Sequence, residues 1–493
     1  MKLHLHSLVA VLLGLPLVWG DSFDDKANEL LASTKVRGFV VAIKVPEKTD
    51  PVIRAYGKIS AASNADAVTI DTAFMMASVS KPFAGAALAK MIEQGLIHPD
   101  DDIEAVIPVG YGETNYLNTR HRTSQVTFRH VATHRSGLRA GIPDVLGTRG
   151  KVNPSYGPTG AYFGTAVGNP SCSMMKDVKG FYRDYMEDGA PDTTVGRADL
   201  SVYPGGTFDW YTNADGANAW SANAAGATST YSNFGIGYIA ALVEHKTGIS
   251  FSQYCNTNLF GPLGMTNTKW HRDELPTTTQ QAIPVQSNGD GTYLDVGHYC
   301  FIDYASGQLY TTANDAAKWG NEMLSKGTTT LWSSATAAHV FGCQEVDATD
   351  SLLPEADCEF SLVWEYLGAA KKDNQIAANS WMAAFQNYDW TDSVQHGGEE
   401  AGITSHFIIF PSAGAYGVVM INSAGKNEMD TIAAEAPKTI LGALFPEAPN
   451  PQTSTPSPAP GPPCFPASLY TSVITQATHL VDSAALAFSG FWA

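Results

Sequence analysis

Residues 72–95 read TAFMMASVSKPFAGAALAKMIEQG, and the fold turns on how this stretch is read. Thr72 to Ala77 is strand-like, whereas from Lys81 onward apolar residues recur at helical spacing until Gly95, a stop signal. Ser78-Val-Ser-Lys81 sits at the junction. A serine at a helix N-terminus and a lysine three residues later share one face. This sets an amine beside a hydroxyl, where the helix dipole favours developing negative charge. A serine could be activated in this way without histidine; the competing account is that Ser78 only caps the helix.

Two further segments carry chemistry of the same kind. Tyr231-Ser-Asn233 opens a second helical pattern, FGIGYIAALVEHKTG over 234–248, so its side chains can project from a loop ahead of a buried helix. A phenol beside a cation loses its proton more readily and can serve as acid or base, and an asparagine can orient both a lysine and a substrate carbonyl. The plainer alternative is a core tyrosine followed by a capping asparagine. In His396-Gly397-Gly398, glycines of an edge strand would let a ligand backbone approach closely, and the next amide, at Glu399, could face an oxyanion. A Gly-rich turn is the plainer alternative here.

The remaining pattern frames these segments. Phe39–Val45 and Pro51–Tyr56 are β-rich runs around a turn, as are Ser405–Phe410 and Tyr416–Asn422, so two hairpins are expected. With helical stretches near Asp25–Ser33 and Met429–Leu444, the terminal thirds are expected to build one antiparallel sheet covered by helices. Residues 146–230, rich in Gly, Asn, Ser and Thr, read as long loops over a helical region and suggest a lid.

Taken together and in order, these segments resemble the serine β-lactamase and penicillin-binding-protein-like superfamily, nearest to its class C β-lactamase, carboxylesterase and D-peptidase branch. Four more segments carry the resemblance: Val126–Leu138 with its His134-Arg-Ser-Gly-Leu turn, Tyr203-Pro-Gly-Gly206, Leu259-Phe-Gly-Pro-Leu-Gly-Met265, and Ala305–Asp315. It covers roughly residues 25 to 445. It implies an α/β (α+β) fold of the β-lactamase/transpeptidase-like kind, with an antiparallel sheet flanked by helices and a mostly helical second subdomain over about 80–300. It implies that Ser78 is the nucleophile and that Lys81 and Tyr231 share the proton transfers. Asn233 would position Lys81 and substrate, and the backbone amides of Ser78 and Glu399 would form the oxyanion hole. Gly397 and Gly398 would lie on the strand facing substrate. No cofactor or metal is implied.

Two departures bear on substrate. Many members carry Lys-Thr-Gly where this chain has His396-Gly397-Gly398, so a fixed cation for a substrate carboxylate is replaced by a residue mostly neutral at pH 7. The stretch of 24 residues between Gly206 and Tyr231 is longer than in typical members. The expectation is a serine hydrolase acting through an acyl-enzyme on a small ester or amide. The alternatives are a D-peptidase or β-lactamase, an acyltransferase, or a non-catalytic scaffold or binding protein that keeps the fold.

Composition and targeting set the context. The chain has 493 residues, 44% hydrophobic and 16% charged, enough for a large core. Lys and Arg total 30 against 48 Asp and Glu, and the net charge of -18 repels phosphate backbones, so nucleic acid is excluded as a partner in favour of a small ester, amide or peptide. One lysine, an apolar run from Leu8 to Trp19 and small Gly20 have a signal-peptide layout, cleaved near Gly20. The product would be secreted or extracytoplasmic, with no membrane span after cleavage.

The expected organisation is a signal peptide over 1–20 and a hydrolase domain over 21–445. A Pro-rich linker over 446–466 and a tail over 467–493 that could dock as a helix follow. Of six cysteines, Cys343 and Cys358 are the expected bridge, and no Cys/His zinc spacing occurs. His130 and His134, four apart on an expected helix, lack the glutamate of a zinc peptidase and are read as structural. Asn288-Gly-Asp-Gly291 is read as a turn rather than a calcium loop, and Gly-x-Ser-x-Gly is absent.

Overall fold

A computed structural model describes residues 20–33, 35–106, 125–138, 178–179, 182, 224–300, 303–425 and 431–445. Residues 1–19 of the expected signal peptide, Tyr203–Gly206, nearly all of 146–223, and the expected linker and tail lie outside the described residues.

The strands are β1 Gly38–Lys44, β2 Val52–Gly57, β3 Phe74–Met75, β4 Val285–Ser287, β5 Tyr293–Asp295, β6 Tyr310–Thr311, β7 Glu365–Tyr366, β8 Val394–Glu400, β9 Ile403–Phe410, β10 Ala415–Ile421 and β11 Ser423–Gly425. The main sheet runs β2-β1-β10-β9-β8-β7, every pair antiparallel. Both expected hairpins are present: β1 turns into β2, and β9 turns into β10 through Pro411–Gly414.

The three central strands are apolar on both faces because both faces are covered. Phe39, Val41 and Ile43 of β1 join Ile408, Phe410, Val419 and Ile421 in one core, against helices α1 Gly20–Ser33 and α6 Thr431–Leu444. Val40 and Ala42 alternate with them and join Phe407, Ile409, Val418 and Met420 in a second core. That core is closed by α2 Lys81–Glu93, α4 Asn233–Thr247 and α5 Ala313–Leu324. The strand period of two thus divides one sheet between two cores.

Helices α2 and α4 are buried nearly all round, which is why α2 spends so many positions on Ala and Gly and α4 carries Gly235, Gly237, Ala240 and Ala241. Gly95, with φ of +66°, ends the α2 segment where the sequence places a stop. The short β3 pairs with β6, Phe74 opposite Thr311 and Met75 opposite Tyr310. A small β11-β4-β5 sheet lies beyond, its β4–β5 turn formed by Asn288–Gly291.

Helix α3 spans only Phe128–Ala132. His130 lies on it, with Nδ1 accepting from the Thr127 amide at 3.2 Å, while His134 lies past its end with φ of +59°. The two histidines therefore do not share a helix face, contrary to the expectation from their spacing. Cys343 and Cys358 form a disulfide, Cys300 is also disulfide-bonded, and Cys255 is free and buried. Among the described residues, no helix is long and apolar enough to cross a membrane, and no group of three or more His, Cys, Asp and Glu side chains is placed to hold a metal.

Candidate active site

The site is built where β3 runs into α2. Between them lies a single 3-10 turn, Ala77–Ser80. Ala77 has φ of +47°, a left-handed conformation that costs a non-glycine residue ~1 kcal/mol or more. Surrounding bonds hold it there. The Met76 amide donates to Leu309 O at 2.8 Å, Ser405 Oγ donates to Met76 O at 2.5 Å, and the Leu309 amide donates to Ser80 Oγ at 2.9 Å. Ser78 makes no helix cap; Ser80 is the N-cap residue of α2, and without a side-chain cap bond. The capping account of Ser78 therefore fails.

Lys81 is fully buried at the start of α2. Its Nζ lies 2.8 Å from Ser78 Oγ and donates to the Ser306 carbonyl at 2.6 Å. The same nitrogen sits 4.9 Å from the ring centroid of Tyr231. Residues 3, 225 and 150 positions from Lys81 are thereby collected around one nitrogen.

Tyr231 is the residue just outside the N-cap of α4 and is 36% exposed, so it is not a core tyrosine. The cap is Ser232, whose Oγ accepts from the Gly235 amide at 2.8 Å, rather than Asn233. Asn233 is the first residue of α4, and its Oδ1 is buried without a hydrogen-bond partner.

The third segment is the strand β8 itself, not a turn before a hairpin. Pairing with β9 runs from Val394 to Glu400, placing Glu399 opposite Thr404, with its side chain exposed. Pairing with β7 reaches only Val394 and Gln395. A Cβ built on Gly398 would lie 2.6 Å from Met76 O and 3.0 Å from Ser78 N, so only glycine lets β8 pass this close to the Ser78 turn. His396, two residues earlier on the same face, faces the site as well; the Cβ direction of Gly397 points to the His406 ring on the other face.

His396 is buried, and its Nδ1 is 2.6 Å from Gly397 O. A carbonyl only accepts, so Nδ1 carries the hydrogen and the neutral ring leaves Nε2 a bare acceptor. That Nε2 is buried without a partner. Burial first, then the Lys81 charge, push the imidazole down to about 3, against the opposing pull of the Gly397 bond.

Two contributors were missed by sequence reasoning. Ser306 acts through its carbonyl, which no side-chain pattern reveals. His134 touches Tyr231, ring centroids 4.6 Å apart, and its Nδ1 accepts from the Ser232 amide at 3.0 Å. Its motif was visible, but the contact joins segments 98 residues apart in the chain.

A family model described as Beta-lactamase matches residues 23–439. An uncharacterized protein of Alkalihalophilus pseudofirmus is 34% identical over 115 residues, 23% of this chain and 29% of that protein. Beta-lactamase-like protein 2 of Dictyostelium discoideum is 21% identical over 55% of this chain and 40% of its own length. The matched regions thus span less than half of these relatives.

Among solved structures, an octameric penicillin-binding protein homologue from Pyrococcus abyssi aligns with a TM-score of 0.56 at 17% identity, covering 85% of this chain and 77% of its own. A beta-lactamase/D-alanine carboxypeptidase from Yersinia pestis aligns at 0.51 and 16%, covering 85% and 97%. Simvastatin synthase from Aspergillus terreus aligns at 0.54 and 17%, covering 86% and 96%. At these identities the likeness shows the fold, which is the α/β, β-lactamase/transpeptidase-like architecture that the sequence implies.

Proposed function

Because the chain belongs to the beta-lactamase family, we propose that it is a serine hydrolase forming an acyl-enzyme on Ser78 from a small, uncharged ester or amide. The observation that carries this reading is the Lys81 nitrogen at 2.8 Å from Ser78 Oγ, in a site that also contains Tyr231. In acylation, Lys81 as the free amine takes the Ser78 proton and Oγ attacks the substrate carbonyl carbon. The oxyanion is received by the amides of Ser78 and Glu399. The proton passes through Tyr231 to the leaving alkoxide or amine as its bond to carbon breaks. Water then enters by the reverse proton path and releases the acid. Asn233 is proposed to orient substrate through its unengaged Oδ1.

The substrate class follows from His396. A bare nitrogen acceptor opposes a carboxylate and suits a neutral group or a hydrogen-bond donor, which favours esters and simple amides over carboxylate-bearing peptides and β-lactams. Secretion is proposed on the leader alone.

The test is intact-protein mass spectrometry after exposure to a fluorophosphonate and, separately, a penicillin, with p-nitrophenyl butyrate turnover measured on the same samples. One fluorophosphonate adduct at Ser78, ester turnover and no lasting penicillin adduct are expected. Ser78→Ala is expected to lose both labelling and turnover while keeping its melting temperature. Turnover retained in that variant sinks the nucleophile assignment, and a stable penicillin adduct replaces the esterase reading with a peptidase.

A further inference from the structure

We propose that His134 is a positioning residue for Tyr231: one side chain and its backbone fix the phenol beside Lys81 and keep the space behind it uncharged. The proposal rests on the reading of Ser78, Lys81 and Tyr231 as the reacting set.

Three contacts converge on His134 from one three-residue segment. The amide before Tyr231, at Thr230, donates to His134 O at 2.8 Å, and the amide after it, at Ser232, donates to Nδ1 at 3.0 Å. The Tyr231 ring lies against the imidazole, centroids 4.6 Å apart and planes 33° from parallel. A tyrosine ahead of a helix cap otherwise has two free side-chain torsions and a loop backbone, and a displacement of about 1 Å in a reacting group can cost about 100-fold in rate.

The platform is itself braced. His134 holds a φ of +59°, and the next amide, at Arg135, donates to His130 O at 2.8 Å. The edge of Phe360 closes the imidazole at 4.7 Å. Arg135 Nε donates to Glu345 Oε1 at 2.6 Å, and the other oxygen of the buried Glu345 accepts from the amides of Glu359 and Phe360. The Cys343–Cys358 disulfide links the chain on either side of Glu345 and next to Phe360. A contiguous set of bonds therefore runs from the disulfide to the phenol.

The Ser232 bond also sets the tautomer. A nitrogen that accepts from an amide carries no hydrogen, so neutral His134 has its proton on Nε2, the reverse of His396. Protonating Nδ1 would set two donors against each other. Burial first, then Lys81 from α2 and His396 from β8, hold the ring well below the ordinary histidine range. Arg135 is paired to Glu345, and Phe360 is uncharged.

The test uses the full chain. Asparagine tolerates positive φ and offers a side-chain acceptor, so His134→Asn removes the ring while sparing the turn. The ionisation of Tyr231, followed by tyrosine 13Cζ NMR and assigned with Tyr231→Phe, is expected to shift in His134→Asn. The alkaline limb of kcat/KM should move with it, and kcat and the fluorophosphonate labelling rate should fall about 10- to 100-fold, with KM changing less. An unchanged Tyr231 titration and pH profile in folded His134→Asn overturns the proposal, even if the rate falls with the amount of folded protein.

In the unmodified protein, imidazole 15N spectra at neutral pH are expected to show His134 with a bare Nδ1 and protonated Nε2. A hydrogen on Nδ1 overturns the proposal without any variant. If the unmodified protein takes no label at Ser78, the hydrolase reading fails, and these two NMR measurements still decide whether His134 sets the phenol's environment.

Discussion

At the scale of single residues, two buried histidines are held in opposite tautomers by backbone groups. His396 donates from Nδ1 to the Gly397 carbonyl, whereas His134 accepts at Nδ1 from the Ser232 amide. A histidine free to rotate could present either a donor or an acceptor at a given point; each of these presents one. On the proposed reading the consequence at His396 is selectivity, because a carboxylate placed against its buried Nε2 lone pair gains no hydrogen bond and loses its water. His396→Lys puts a donor and a fixed charge at that point. It is expected to raise kcat/KM for an acyl donor bearing a carboxylate, relative to its neutral methyl ester, by about tenfold, equivalent to ~1.4 kcal/mol. The ratio is measured on the same preparation, with the melting temperature reported alongside. An unchanged ratio in folded protein removes His396 from substrate selection.

At the scale of elements, β8 is shaped by what it must pass. A methyl group at Gly398 would strike Met76 O, Ser405 Oγ and Ser78 N, all within 3.0 Å, and two of these belong to the turn that carries Ser78 and to its N-cap. Neither β8 nor that turn can yield freely, since Met76 O is bonded to Ser405 Oγ and β8 is paired with β9. Gly398→Ala is expected to cost about 1–3 kcal/mol of stability and to slow acylation of Ser78 by at least about tenfold. Urea unfolding and the labelling rate check the two parts separately; a wild-type labelling rate would mean the turn relaxes without consequence.

The same strand shows what the sequence could not convey. The hairpins β1–β2 and β9–β10 were legible because dense β-branched and aromatic runs flank turn residues. By contrast, the HGGEE end of β8 has no intrinsic strand preference and is extended only because β9 pairs with it. The Ser78–Lys81 pair was legible from local spacing, whereas the Ser306 carbonyl and the His134 platform depend on contacts across more than 90 residues. The short α3 misled for a related reason. A helical spacing of His130 and His134 is cut by a positive φ at His134, a conformation uncommon for a non-glycine residue and not announced by the spacing.

At the scale of the whole molecule, the buried histidines make the fold sensitive to acid. Burial holds His396 and His406 down to about 3 and His298 down to about 4, against about 6.5 in an unfolded chain. Between those limits the unfolded state binds protons that the folded state refuses, so stability rises with pH there and is lost as pH falls from about 6.5 toward 3. Each group contributes up to ~1.4 kcal/mol per pH unit within its window. Asp100, held low chiefly by its bond to Arg129, acts in the same direction at lower pH; Glu365, raised by burial, acts against it.

Above about pH 5 most carboxylates stay ionised, so histidines dominate the slope in that range. His406 isolates the effect, since it lies on the opposite face of β8 and β9 from Ser78. There its Nε2 donates to Gln395 Oε1 at 3.1 Å and its ring meets Trp381 at 5.1 Å. The unfolding free energy from urea titrations is expected to drop steadily between about pH 6.5 and pH 5, and His406→Gln is expected to flatten that drop by nearly one proton. A slope unchanged by the substitution would mean that His406 takes up its proton in the folded protein as readily as in the unfolded chain, and the acid sensitivity would then rest on His396, His298 and the carboxylates.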